Sequence, residues 1–190
     1  MNKLKKSLVK HIKGRVFVFI DAANLEKSVQ DLGWRVNYRK LKVYFRNNTN
    51  LRSIRFYSVA FGNAPHNDFL DSLRAKGYRV VTKPLKIIKD GSEPDGEIRK
   101  ADFDVEIAVD AMEKLDKYDT MILFSGDSDF DYLIKVLRQK GKKVVVFSTK
   151  HHIAKELIRS CDRYIDLKRL KDHIARKPRK KQSPPFSAGG

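Results

Sequence analysis

The chain has 190 residues, 41% of them apolar and 34% charged, with 41 basic against 23 acidic side chains and a formal net charge of +18. That size suits one domain with short tails around a single core. One cysteine rules out an intramolecular disulfide, and no apolar run approaches the roughly 18 residues of a membrane span, so a reducing, cytoplasmic location is expected.

Much of the positive charge lies at the two ends. A basic arm at residues 1–14 carries Lys3, Lys5, Lys6, Lys10 and Lys13 and no acid. A tail at residues 177–190 carries Lys177, Arg179, Lys180 and Lys181, again without an acid, and has no periodicity. Between them, residues 15–176 read as the folded domain. Each phosphate neutralised by such side chains releases condensed counterions, so the arms point to a polyanionic partner. The plainer alternative is that they serve solubility or an acidic membrane surface.

Within the domain, short apolar runs alternate with amphipathic stretches, which predicts repeated βα units and a mostly parallel sheet. Residues 16–20 (VFVFI) form a buried strand, followed by helices over 22–32 and 38–46. A second strand covers 53–61, and a helix over 67–76 stops at Gly77. The third strand is 78–82. Residues 84–99, broken by Gly91, Pro94 and Gly96, read as a loop or small hairpin. A helix over 102–115 turns Val105, Ala108, Val109, Met112 and Leu115 inward. Then come a strand at 120–124, a helix at 129–140, a strand at 143–147, a helix at 151–160 and a short edge strand at 164–167.

Two aspartates fall just past apolar strands: Asp21 directly after VFVFI, and Asp127 after TMILFSG. In an open parallel sheet, ligands bind beyond the carboxyl ends of the strands, where the strand order reverses. Asp129 lies two residues past Asp127, and Asp104 lies in the first turn of the helix before the fourth strand. Carboxylates brought together there repel one another unless a cation lies between them. Oxygen ligands without paired His or Cys favour Mg²⁺ or Mn²⁺ over zinc. Taken singly, Asp104, Asp127 and Asp129 could also be ordinary helix-start acids, each worth about 0.3–1 kcal/mol. Asp21 is harder to explain that way, because a charge closing a buried strand is costly without a partner. Asp110, six residues after Asp104, falls on another face of the helix and reads as a salt-bridge or capping partner.

Trp34 and Arg35 lie in GWRVNYRK, where a ring among cations suits stacking on single-stranded RNA or, equally, packing beneath a loop. Lys83, Lys86, Lys100 and, in the tail, Lys180 are candidate phosphate contacts.

Three blocks, FIDAANLEKS (19–28), KADFDVEIAVDAM (100–112) and LFSGDSDFDYLIKVLRQKGKKVVVFS (123–148), resemble the NYN domain, the LabA-like branch of the PIN-like nuclease superfamily. The resemblance implies an α/β, three-layer PIN-like (Rossmannoid) fold with a five-stranded, mostly parallel sheet of order 3-2-1-4-5 flanked by helices. It also implies a Mg²⁺- or Mn²⁺-dependent endoribonuclease whose metal-site acids match Asp21, Asp104, Asp127 and Asp129. Asn24 and Ser125 match residues that position substrate or water. The family's lysine, glycine and apolar residue before its helical aspartate are replaced here by Ala101, Asp102 and Phe103, which leaves Asp102 as a rival to Asp104. RNA, single-stranded or structured, is the expected partner, with DNA and a homodimer as open alternatives. A weakly active or non-catalytic RNA-binding module is the second reading. An aspartate-nucleophile phosphatase would want an acid at position 23, where alanine stands.

Overall fold

A computed structural model describes residues 7–9, 11–89, 97–100 and 102–177, with backbone alone at 86–89 and 97–100. In chain order the elements are β1 (Arg15–Asp21), α1 (Ala22–Asp31), α2 (Tyr38–Asn48), β2 (Asn50–Ala60), α3 (Ala64–Ala75), β3 (Arg79–Pro84), β4 (Lys86–Lys89) and β5 (Glu97–Lys100). They continue with α4 (Asp104–Glu113), β6 (Thr120–Phe124), α5 (Asp131–Gln139), β7 (Lys143–Ser148), α6 (Lys155–Ser160), β8 (Arg163–Asp166) and α7 (Lys171–Ile174).

Six strands form one sheet of order β3-β2-β1-β6-β7-β8, every neighbouring pair parallel. The expected order of five strands is present, with one strand more. β8 extends the sheet at its edge, pairing Val145–Ser148 with Arg163–Asp166. Only Ile165 in β8 is fully buried, so its sequence carries a weak strand signal. β4 and β5 pair antiparallel as a separate hairpin. From β1 the chain builds outward to β2 and β3, then returns to β6 on the other side of β1. The strand order therefore reverses between β1 and β6, and the crevice opens there.

β1 explains why its run is unbroken by polar residues. Val16, Val18 and Ile20 face one layer with Leu41 and Phe45. Phe17 and Phe19 face the other layer with Ile107 and Tyr118. All five strand residues are buried, as a central parallel strand requires.

Three helical expectations shift. α4 begins at Asp104 and buries Ile107 and Ala111 beneath Phe103, while Val105 and Val109 are 68% and 58% exposed. Of the five residues expected to face inward, Ala108, Met112 and Leu115 do pack against this core layer, and Val105 and Val109 turn to solvent. α5 starts at Asp131, after a 3-10 turn over Ser128–Phe130. α6 starts only at Lys155, because His152 and Ile153 close a turn by donating their N–H groups to the Thr149 carbonyl. Gly77 takes φ 78° just past α3, the left-handed conformation its place required. Among the described residues no helix is long and apolar enough to cross a membrane.

Candidate active site

β1 and β6 run in register with Ile20 opposite Phe124, so Asp21 and Ser125 emerge level with one another at the carboxyl edge. Asp21 caps α1. Its Oδ1 accepts from the Asn24 backbone N–H at 3.2 Å, and its Oδ2 accepts from Asn24 Nδ2 at 2.7 Å and from Ser125 Oγ at 3.3 Å. Asn24 then returns the link, its Oδ1 accepting from the Gly126 N–H at 3.4 Å. Ser125 Oγ accepts from the Asp127 N–H at 3.3 Å, and Asp127 Oδ1 accepts from the Asp129 N–H at 3.1 Å. The loops after β1 and β6 are thus joined into one network, with Asp21 7% exposed, Asp127 half-buried and Asp129 exposed.

These acids also act on one another electrostatically. Burial raises the Asp21 carboxyl above its ordinary value, the Asn24 and Ser125 hydrogen bonds lower it, and the charge of Asp127 raises it further. Asp104, at the start of α4, is pushed up to about 6 by burial and then by the charges of Asp127, Asp21, Asp102 and Asp129. Asp104 is half-buried and Asp102 is exposed. Among the described residues, no three acidic, histidine or cysteine side chains stand together as the ligands of one ion. The donor set consists of hard carboxylate oxygens whose strongest mutual influence is repulsive, which suits a divalent cation bridged in part by water.

A model of the NYN domain matches residues 15–168. This chain belongs to the NYN domain family. Low amplitude and bright protein LabA of Synechococcus elongatus is 35% identical to it over 167 residues, 87% of this chain and 90% of that relative. A crystal structure of a protein of unknown function from Vibrio parahaemolyticus RIMD 2210633 superposes with a TM-score of 0.72 at 26% identity, covering 86% of this chain and 97% of that one. The expected α/β class, a parallel sheet between helical layers, is therefore the fold of this NYN domain.

Repulsion among the acids of the NYN domain has a consequence for stability. The folded carboxyl of Asp104 holds its proton up to about pH 6, above its unfolded value near 3.8, so its contribution to stability is fully present below pH 3.8 and is lost as pH rises through 6. At pH 7.5 in EDTA, Asp104→Asn should therefore stabilise the fold, by roughly 1 kcal/mol after solvent screening. Thermal melts at pH 7.5 and pH 4 check this: the gain should shrink at pH 4. Destabilisation at pH 7.5 would contradict it.

Two features of the mouth were not read from the sequence. Ser148 and Thr149, at the end of β7, are 1% and 2% exposed, and their hydroxyls lack hydrogen-bond partners among the described residues. β7 lies beside β6 with Phe124 opposite Phe147, which brings Ser148 level with Ser125. Gly126 sits against that turn: its carbonyl accepts from the Ala154 N–H at 2.9 Å, and an added Cβ would lie 1.9 Å from the His152 carbonyl oxygen and 2.6 Å from Ser148 Oγ. Gly126→Ala should cost about 1–3 kcal/mol, because backbone must move to admit the methyl. A melting temperature equal to wild type would show that the contact is not as tight as described.

The remaining candidates lie elsewhere. Asp110 pairs with Arg55 at 2.5 Å and accepts from Tyr57 OH at 2.8 Å, the salt-bridge role expected of it. Lys83 pairs with Glu106 at 2.8 Å and stands 4.6 Å over the Phe103 ring. Trp34 is 8% exposed and packs into the core layer of Val16, while Arg35 is exposed beside it. The side chains of Lys86 and Lys100, and all of Lys180, lie outside the described residues.

Proposed function

We propose that this NYN domain is a metal-dependent endoribonuclease that hydrolyses RNA phosphodiester bonds at the mouth formed by Asp21, Asp104, Asp127 and Asp129, with Mg²⁺ or Mn²⁺ as cofactor. The observation that carries the reading is the convergence of acids from three separate segments, whose charges add to burial in pushing Asp104 up to about 6. Acids so placed fold together at a cost, and a cation offsets it. When bound, such an ion supplies a Lewis acid that polarises phosphate oxygens and acidifies water.

The chain's own groups have separable tasks. Asn24 and Ser125 fix both oxygens of Asp21, which keeps one carboxylate in a single orientation. The Asp129 N–H does the same for Oδ1 of Asp127 and leaves its second oxygen uncommitted among the described residues. The basic arms at 1–14 and 177–190, Lys180 included, attract the polyanion, and the acids confine cutting to one place. Cys161 is free and buried, in keeping with a reducing, cytoplasmic setting as part of the proposal.

Purified protein with Mn²⁺ should cut a generic single-stranded RNA, and EDTA should stop it. Salt-sensitive RNA binding without any cutting, in either metal, would replace this reading with the non-catalytic RNA-binding one.

A further inference from the structure

A second cleft, of about 780 Å³, lies between α1, the start of α2, and α3, and shares no lining residue with the acidic mouth. Its size falls within the range of small-molecule sites. The cations Arg35, Arg39 and Arg176 line it, and none of them has an ion-pair partner among the described residues. Their gathering is built into the backbone. The segment after α7 pairs with the segment before α2, Val36 bridging Ala175, and the Arg176 N–H donates to the Arg35 carbonyl at 2.8 Å. Arg39 follows in the first turn of α2, whose N-terminus adds positive partial charge.

The cleft also has an aromatic wall. Tyr38 is held by Phe56, Phe69 and Tyr78, at ring-centroid distances of 5.2, 5.6 and 6.1 Å, and Trp34 stands beside it. Glu26 is the only acid of the lining among the described residues and accepts from Tyr38 OH at 3.2 Å. Unpaired guanidinium groups fit a phosphate, fixed rings fit a planar base, and a lone carboxylate fits a hydroxyl or amino donor. We infer that this cleft binds one phosphate-bearing nucleotide, either free or as part of an RNA strand held away from the acids. The Glu26–Gly33 stretch of the lining lies roughly 8–18 Å along α1 from Asp21, so one strand can reach both places. The strand-borne form rests on the RNA reading above; the free form does not.

Trp34 is the only tryptophan, so its fluorescence reports on this cleft. The full chain carrying Asp127→Asn, in EDTA, is titrated with adenosine monophosphate, a short oligoadenylate, adenosine and inorganic phosphate. A saturable change with the monophosphate supports the free form, and one with the oligoadenylate alone supports the strand-borne form. In either case Arg35→Gln with Arg39→Gln should weaken binding on the order of tenfold or more, while Lys168→Gln should not. No change with any probe, inorganic phosphate binding as tightly as the nucleotide, or unaltered binding by the double variant would overturn the inference. Cleavage is never read in this experiment, so its failure and failure of the nuclease reading are distinguishable.

Discussion

Asp127→Asn should lower Mn²⁺-supported RNA cleavage by at least about a hundredfold, since losing even an outer partner of a metal ligand costs about 10–100-fold. The substitution removes one negative charge at nearly constant shape. Asparagine retains an Oδ1 that can accept from the Asp129 N–H, the contact that closes the 3-10 turn, so the fold should survive. Circular dichroism and melting temperature should match wild type or rise slightly, because a mutually repelling charge has gone. Initial rates measured with Mn²⁺ check the activity. A variant that cuts as fast as wild type would place the activity at another site or in a contaminant.

Asp110→Ala should have the largest effect on stability, about 3 kcal/mol. Arg55 is 8% exposed, and its guanidinium reaches Asp110 Oδ2 from Nε at 3.1 Å and from Nη2 at 2.5 Å. Tyr57 OH donates to the same oxygen. Removing the carboxylate leaves the buried Arg55 cation without its counter-charge, with only Tyr57 OH still accepting from Nε at 3.0 Å, and leaves that hydroxyl without its acceptor, a loss that outweighs the modest net worth of the intact pair. A fall in melting temperature of roughly 6–12 °C is expected for a domain of this size. Replacing both partners, Asp110→Leu with Arg55→Met, should recover part of the loss, because no unpaired charge then remains. A single variant melting within a degree of wild type would show the pair to be open to water.

The mouth was legible where a strand end alone specified it. Asp21 ends the apolar run of β1 and Asp127 lies three residues past that of β6, and a parallel sheet brings such residues together only at its carboxyl edge. Asp104 was harder to place, since Asp102 has the same chemistry two residues away; the ring of Phe103, buried between them, fixes the start and face of α4. Ser148 and Thr149 could not be assigned to the mouth by local pattern, because their place depends on β7 lying next to β6. The partner of Asp110 was equally hidden: periodicity shows that its face differs from that of Asp104, but not that Arg55, 55 residues earlier on β2, points at it. β8 (Arg163–Asp166) lies outside the five strands that the family resemblance implies, yet the sequence itself reads as a short edge strand at 164–167, one residue away, although one buried residue in four leaves little alternation. The nucleotide cleft joins segments around residues 35 and 176, a pairing that only the folded chain reveals.

Diffraction from crystals soaked in Mn²⁺, with anomalous maps collected at the manganese edge, tests the central claim most directly. The expected result is a peak between the loops after β1 and β6, about 2.0–2.3 Å from carboxylate oxygens of Asp21 and Asp127, with Asp104 or Asp129 reached directly or through water. A map with no peak there, or with manganese only on acids elsewhere on the surface, would contradict the account.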